Sequence, residues 1–235
     1  LLDETIADDE RVLTHFMMGQ LYSGSANLRW LYGGQVRTVN SNRAFNQLLS
    51  EVCREVYPHT PTFWNELVNK HRISSSIFTA RRNYLKALVA NWDKPDLGFE
   101  KTRFPPEKTI YLTLLKANGI SAALGPRNQE HADPNQFARL WAVSEAFLSS
   151  AKTRRRRVSA LYETLTQPPF RLKQGFLDFW VPTFLFLRRD EYALFGEKGY
   201  VPKLSDETLD LVIKYPDVYE IKAFDIEGMR LNLFN

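Results

Sequence analysis

Lys173-Gln-Gly-Phe-Leu-Asp-Phe-Trp-Val-Pro-Thr-Phe-Leu-Phe-Leu-Arg-Arg189 is the stretch on which the fold turns. Its central run, Phe176 to Leu187, is 12 residues long and is interrupted only by Asp178, Pro182 and Thr183. A membrane span needs roughly 20 apolar residues, so the run reads as a buried core element. Pro182 is expected to kink or divide it, because proline lacks an amide proton and crowds the preceding turn.

Downstream of this core element, Tyr192-Ala-Leu-Phe195, Gly196-Glu-Lys-Gly199 and Tyr200-Val201 read as a β-hairpin. Ser205 is placed to cap a helix to about Lys214, with Glu207 in its first turn, where a carboxylate favours the helix dipole. Tyr219 to Phe224 alternates as a strand. Upstream, Arg154 to Thr166 reads as a helix stopped by Pro168-Pro169. Helix, helix, hairpin, helix and strand across 154–224 resembles a winged-helix arrangement. Such modules contact DNA in some proteins and other proteins elsewhere, so the arrangement leaves function open.

The remainder reads as mainly helical. Residues 8–23 suggest a first helix, and Leu28 to Val39 a hairpin turning at Gly33-Gly34. Phe45, Leu48, Leu49, Val52, Cys53 and Val56 recur at helical spacing, with Asn40 or Ser41 as cap. A short helix is expected from Thr62 to Lys70. A longer one, capped by Ser74, runs to about Trp92, giving a helix-turn-helix-like unit. Pro106 suits the first turn of a helix closed by Gly119. Asp133-Pro134 opens another, with Phe137, Leu140, Trp141, Ser144, Phe147 and Leu148 on one face. The expected fold is mainly α with small β-hairpins (α+β). A helical region over 1–125 is expected to precede a winged-helix-like module over 126–235, divided at the polar stretch Gly125 to Asp133.

Hydrophobic residues make up 44%, enough for a sizeable core. The single cysteine, Cys53, excludes an intrachain disulfide framework and suits a reducing, cytoplasmic compartment. Its place on a helical stripe makes it a core residue in this reading. No basic and apolar leader begins the chain, and an initiator Met is absent. Both ends read as cuts within a longer protein.

Catalytic signatures are missing. No phosphate-cradling glycine loop occurs; Glu107-Lys108-Thr109 has the Lys-Thr pair, but Pro105-Pro106 before it lacks the amides of a cradle. His15, His59, His71 and His131 are isolated from one another in sequence, without metal-ligand spacing. Asp190-Glu191 follows two arginines and reads as a helix end. Pro216-Asp217 with Glu220 and Lys222 carries the letters of a metal-dependent nuclease, but the two acids are too close in sequence to sit on neighbouring strands. The segment is therefore expected to hold no catalytic site, metal or cofactor.

Basic residues cluster where the net charge of +4 does not reveal it. Lys152, Arg154, Arg155, Arg156, Arg157, Arg171 and Lys173 face one acid, Glu163, over the same span. At about 100° per residue four consecutive arginines circle a helix, so they cannot all meet one groove. The readings are phosphate contact on nucleic acid, or else a solvated helix start or arginines paired to acids elsewhere in the parent protein. For a second group, Arg72, Arg81, Arg82 and Lys86, the readings are DNA contact and packing. Arg81 falls on an apolar stripe, so it needs an acid, because an unpaired buried charge is very costly. Glu66 is the expected partner in a structural ion pair.

Tyr57-Pro-His-Thr-Pro61, Asn65-Glu-Leu-Val-Asn69 and Ala80-Arg-Arg82 form one block. Gln167-Pro-Pro-Phe170, Leu172-Lys-Gln-Gly175, Glu191-Tyr-Ala-Leu-Phe195, Tyr200-Val-Pro202 and Pro216 with Tyr219-Glu-Ile221 form another. Together they resemble large bacterial P-loop ATPases of phage-defence systems, the BREX group (BrxC/PglY-like). The resemblance implies an accessory segment outside the nucleotide site. Its implied partners are the rest of the parent chain, DNA and other defence subunits, with no membrane. The alternative is a protein–protein scaffold that binds no nucleic acid.

Overall fold

The apolar run forms α6 (Gln174–Leu187), in which 13 of the 14 residues are buried. Phe176, Trp180 and Phe184 recur every four residues and so fall along one face. Phe176 and Trp180 stack at 14° between planes, and Trp180 and Phe184 at 24°. The helix is unbroken at Pro182 rather than divided there. The neighbouring Thr183 hydroxyl donates to the Phe179 carbonyl at 2.6 Å and bonds the buried Tyr84 hydroxyl at 2.8 Å.

The structure, a computed structural model, describes residues 9–14, 16, 17, 19, 30–39, 41–120 and 136–224. Its contacts divide the chain into two units, Leu1–Val56 and Tyr57–Asn235. The expected boundary at 125/126 lies outside the described residues. Those on either side of it, from Val68 to Ala223, share one core.

In the first unit, residues 9–14, 16, 17 and 19 are helical. β1 (Trp30–Tyr32) and β2 (Gln35–Arg37) form the expected hairpin, with Gly33 and Gly34 at φ 58° and 74°. That positive-φ pair is what a two-residue turn requires. α1 (Asn42–Val56) is capped by Ser41, whose hydroxyl accepts from the Ala44 amide at 3.1 Å. None of its residues is fully buried, and Cys53 is exposed, contrary to its reading as core. The half-buried stripe is Phe45, Leu48 and Val52, and Cys53 sits one position further round the helix.

In the second unit, α2 (Ser75–Ala90), α3 (Pro106–Leu114), α4 (Phe137–Ser150), α5 (Ser159–Thr166) and α7 (Asp206–Lys214) join α6. Pro106 and Gly119 (φ 64°) bound α3 and its closing turn as expected. The predicted face of α4 is the buried one, residue for residue. The expected helix over 62–70 is not formed. The Asn65 side chain instead accepts from the Leu67 amide at 3.2 Å, a local bond that competes with helical pairing, and donates to Thr113 Oγ1 at 3.1 Å. The helix-turn-helix-like unit is therefore absent. This irregular segment packs on the start of α6: a Cβ on Gly175 would lie 2.5 Å from the Val68 carbonyl oxygen and 2.6 Å from that of Lys70.

The residues expected to open a helix at Arg154 instead form β3 (Arg156–Arg157), and α5 starts at Ser159. β4 (Tyr192–Gly196), β5 (Gly199–Val201) and β6 (Glu220–Ala223) complete an antiparallel sheet of order β3-β6-β4-β5. Backbone bonds from Val158 N to Tyr219 O (2.9 Å) and Ala223 N to Ala151 O (3.1 Å) draw 151–158 alongside β6. Chain pairing thus overrides the helical tendency of the arginines. The fold is α+β.

Arg81 is buried as expected, but its partner is not Glu66, which is exposed. The guanidinium donates to Asp178 at 2.9 Å and Asp210 at 3.0 Å. Burial pushes the Asp178 carboxyl above the usual carboxylate range, while bonds from Gln174 and Arg81 oppose that shift. Asp178 is the one acid inside the apolar run, and it is there to meet the arginine.

Candidate nucleic-acid interface

Strand alternation sorts the sheet residues onto two faces. Ile221, Leu194 and Val201 stand in one cross-strand row with Arg156. Ile221 and Leu194 are buried, and the Arg156 guanidinium lies 5.9 Å from the Phe147 ring on α4, so this is the core face. The next row is Arg157, Glu220, Phe195 and Tyr200. It points away from the core together with Lys222 and Ala193, and none of these six side chains is buried.

The outward face has a polarity. Lys152, Arg154, Arg155 and Arg157 are exposed along or beside the β3 edge. Arg157 reaches Glu220 at 4.0 Å, and the Lys222 ammonium donates to the Lys152 carbonyl at 2.6 Å. On the β4–β5 side lie two rings, Phe195 and Tyr200, 6.0 Å apart. Tyr200 is 62% exposed. Arg155 spans the two zones, with its guanidinium carbon 3.6 Å from the Phe195 centroid. A guanidinium at that distance over a ring is held by cation–π attraction and keeps its charge.

The predicted basic set is therefore only partly brought together. Lys152, Arg154, Arg155 and Arg157 share this margin, while Arg156 turns inward. Arg156 and Arg157 point to opposite faces of β3 instead of continuing round a helix. Arg171 and Lys173 lie beyond the other end of α5, donating to the carbonyls of Thr166 (3.4 Å) and Asn69 (3.2 Å). The sequence reading missed Phe195, Tyr200 and Lys222. Their signal was present: the alternation in Tyr192-Ala-Leu-Phe-Gly196 puts Phe195 opposite the core-facing Leu194.

Other candidates resolve differently. Lys108 donates to the carbonyls of Glu100 (2.6 Å), Lys101 (3.1 Å) and Arg103 (2.9 Å), so the Lys-Thr pair braces a loop. Glu220 and Lys222 share the outward face but take different partners. His59 contacts the Phe170 ring and Arg139, His71 is exposed, and His15 and His131 lie outside the described residues. Among the described residues no three or more His, Cys, Asp or Glu gather in a way that could hold a metal, and no helix is long and apolar enough to cross a membrane. A groove of about 580 Å3 at the hairpin tip is lined by Tyr200, Leu211, Tyr215, Val218 and Tyr219 among others.

Comparison with known proteins returns no matching family model, no similar curated protein and no similar solved structure.

Proposed function

We propose that this chain is a cytoplasmic, non-catalytic accessory segment of a larger phage-defence P-loop ATPase, and that it contacts nucleic acid through the outward face of the four-stranded sheet. The motif blocks at 57–82 and 167–221 support the parent's class. The order α5, α6, β4–β5, α7, β6 supports a winged-helix-like reading of the module. One role changes: α6, at the place of a groove-reading helix, is core on all sides, so contact passes to the sheet.

One observation carries the reading: Arg155 is held over Phe195 beside the exposed Arg157, with Lys222 on the same face. Phosphate contacts release condensed counterions, so affinity should fall with salt at a log–log slope of roughly −0.7 to −0.9 per contact. Anisotropy of a labelled oligonucleotide across a salt series measures this. Arg155→Glu with Arg157→Glu should remove binding and flatten the slope. Arg171→Glu with Lys173→Glu, at the far end of α5, should change it little. Retention of the oligonucleotide by the first pair sinks the proposal.

The apolar groove at the hairpin tip favours a second reading, a protein-interaction scaffold. Salt-insensitive capture of a purified defence subunit, lost on Leu211→Asp and unaffected by Arg155→Glu, would support it.

A further inference from the structure

We propose that the outward sheet face takes single-stranded nucleic acid: one base stacks on the Tyr200 ring, a second on the open plane of the Arg155 guanidinium, and the backbone runs along the basic β3 margin. This rests on the nucleic-acid reading above and narrows it.

The first argument is what the face offers. In a duplex the bases are already stacked on one another, and rings on a flat surface have nothing to receive. Unpaired bases stack on aromatic side chains and on arginine planes with little regard to sequence. Tyr200 keeps its ring bare at 62% exposure, on a strand residue paired directly with Phe195. The Arg155 guanidinium carbon lies 3.6 Å from the Phe195 centroid, and Arg155 is an exposed residue. The arginine is thus fixed in place before any base arrives, which reduces the ordering entropy of binding.

The second argument is the arrangement across the sheet. Strand order β3-β6-β4-β5 puts the charges of Lys152, Arg154 and Arg157 at one margin and the rings at the other. Neighbouring strands are about 4.8 Å apart, so β5 lies roughly 14 Å from β3, and the long Arg155 side chain, reaching Phe195 on β4, bridges most of that span. Glu220 stands between the two zones, 4.0 Å from Arg157. Its carboxylate repels a phosphate from the middle of the face and leaves the margin as the backbone's track.

The third argument is α6, the helix at the place of a groove reader. A major groove admits a helix with an exposed face, and α6 has none.

The test uses the full 235-residue chain with labelled oligothymidylate, oligouridylate and a duplex of equal length, at one salt concentration. Both single strands are expected to bind more tightly than the duplex. Tyr200→Ala and Arg155→Lys, which keeps the charge but loses the plane, should each weaken single-strand binding roughly 5- to 100-fold. Tyr200→Phe should retain it. The Tyr200→Ala salt slope should stay unchanged, because no phosphate contact is lost. If Tyr200→Ala melts early, the strand-favouring Tyr200→Thr gives the same readout. Duplex binding as tight as single-strand binding, indifferent to Tyr200→Ala, overturns this inference and leaves the broader proposal standing. Binding of heparin or a polyglutamate peptide in equal measure, again without Tyr200, marks a generic anion surface and also overturns it. Failure to bind any of the three nucleic acids removes both proposals.

Discussion

The Arg81 guanidinium donates to the Asp178 carboxylate at 2.9 Å, across 97 residues of sequence, with both side chains largely out of water. The pair ties α2 to α6, and Asp210 brings in α7 at 3.0 Å. Removing one member leaves the other charged and unpaired. Arg81→Met should therefore destabilise by about 3–5 kcal/mol, read from urea unfolding. Arg81→Met with Asp178→Leu should recover part of that loss, since the buried carboxylate is gone and only Asp210, which reaches water, loses its arginine. Glu66→Ala should stay within about 0.5 kcal/mol of the parent, as an exposed residue away from the pair.

The demand at Arg81 was legible in the sequence, because its position on an apolar stripe requires an acid. The identity of that acid was not. Glu66 was nearer along the chain, whereas the partners lie 97 and 129 residues away. The same division runs through the fold. The face of α4 and the turn at Gly33-Gly34 follow from local spacing and local backbone need. Arg154 to Arg157 read as helical because their propensity is helical, and pairing with β6 makes Arg156 and Arg157 extended. At 62–70 the side chain of Asn65 diverts the backbone from the helix the letters suggest. In the candidate site the arginines were visible as a cluster. The rings beside them needed the strand register to bring Phe195 under Arg155.

Gly175 is fixed by close approach. Two backbone carbonyls, of Val68 and Lys70, stand where a Cβ would go, and the Gly175 amide donates to the Lys70 oxygen at 2.8 Å. Neither carbonyl can swing aside as a side-chain tip could. Gly175→Ala should destabilise by about 1–3 kcal/mol through overpacking, with faster hydrogen exchange at residues 66–70. Unchanged stability and exchange would show that the segment yields.

Lys108 holds three carbonyls of the loop before α3, and its ammonium also lies 3.8 Å from the Phe104 centroid. Lys108→Met keeps the length of the stem and removes the donors. A hydrogen bond to a charged group contributes about 1.5–3 kcal/mol, so a loss of about 2–3 kcal/mol is expected for the set, which acts as one unit. Limited proteolysis should then cut between residues 99 and 105 before other sites. Equal cleavage in both proteins would dismiss the brace.

Three phenols, Tyr84, Tyr162 and Tyr192, lie in the core, and burial raises each well above the ordinary value of 10.0. Burial acts this way because the phenolate would lose its water. The Tyr84 hydroxyl is bonded to Thr183, Tyr192 donates to the Leu185 carbonyl, which favours its protonated form, and the Tyr162 hydroxyl has no partner among the described residues. The folded state thus keeps three protons that the unfolded chain releases near pH 10. Their contribution to stability is complete below that pH and declines as pH rises above it, because the unfolded state then binds fewer protons. Alkaline titration is followed by phenolate absorbance and circular dichroism together. The three core phenols should ionise only in step with the loss of helical circular dichroism. Tyr162→Phe removes an unpartnered hydroxyl and should leave neutral-pH stability equal or higher, while moving alkaline unfolding to higher pH. Smooth ionisation of all the tyrosines before any helix is lost would contradict the packing of α6 from which this expectation derives.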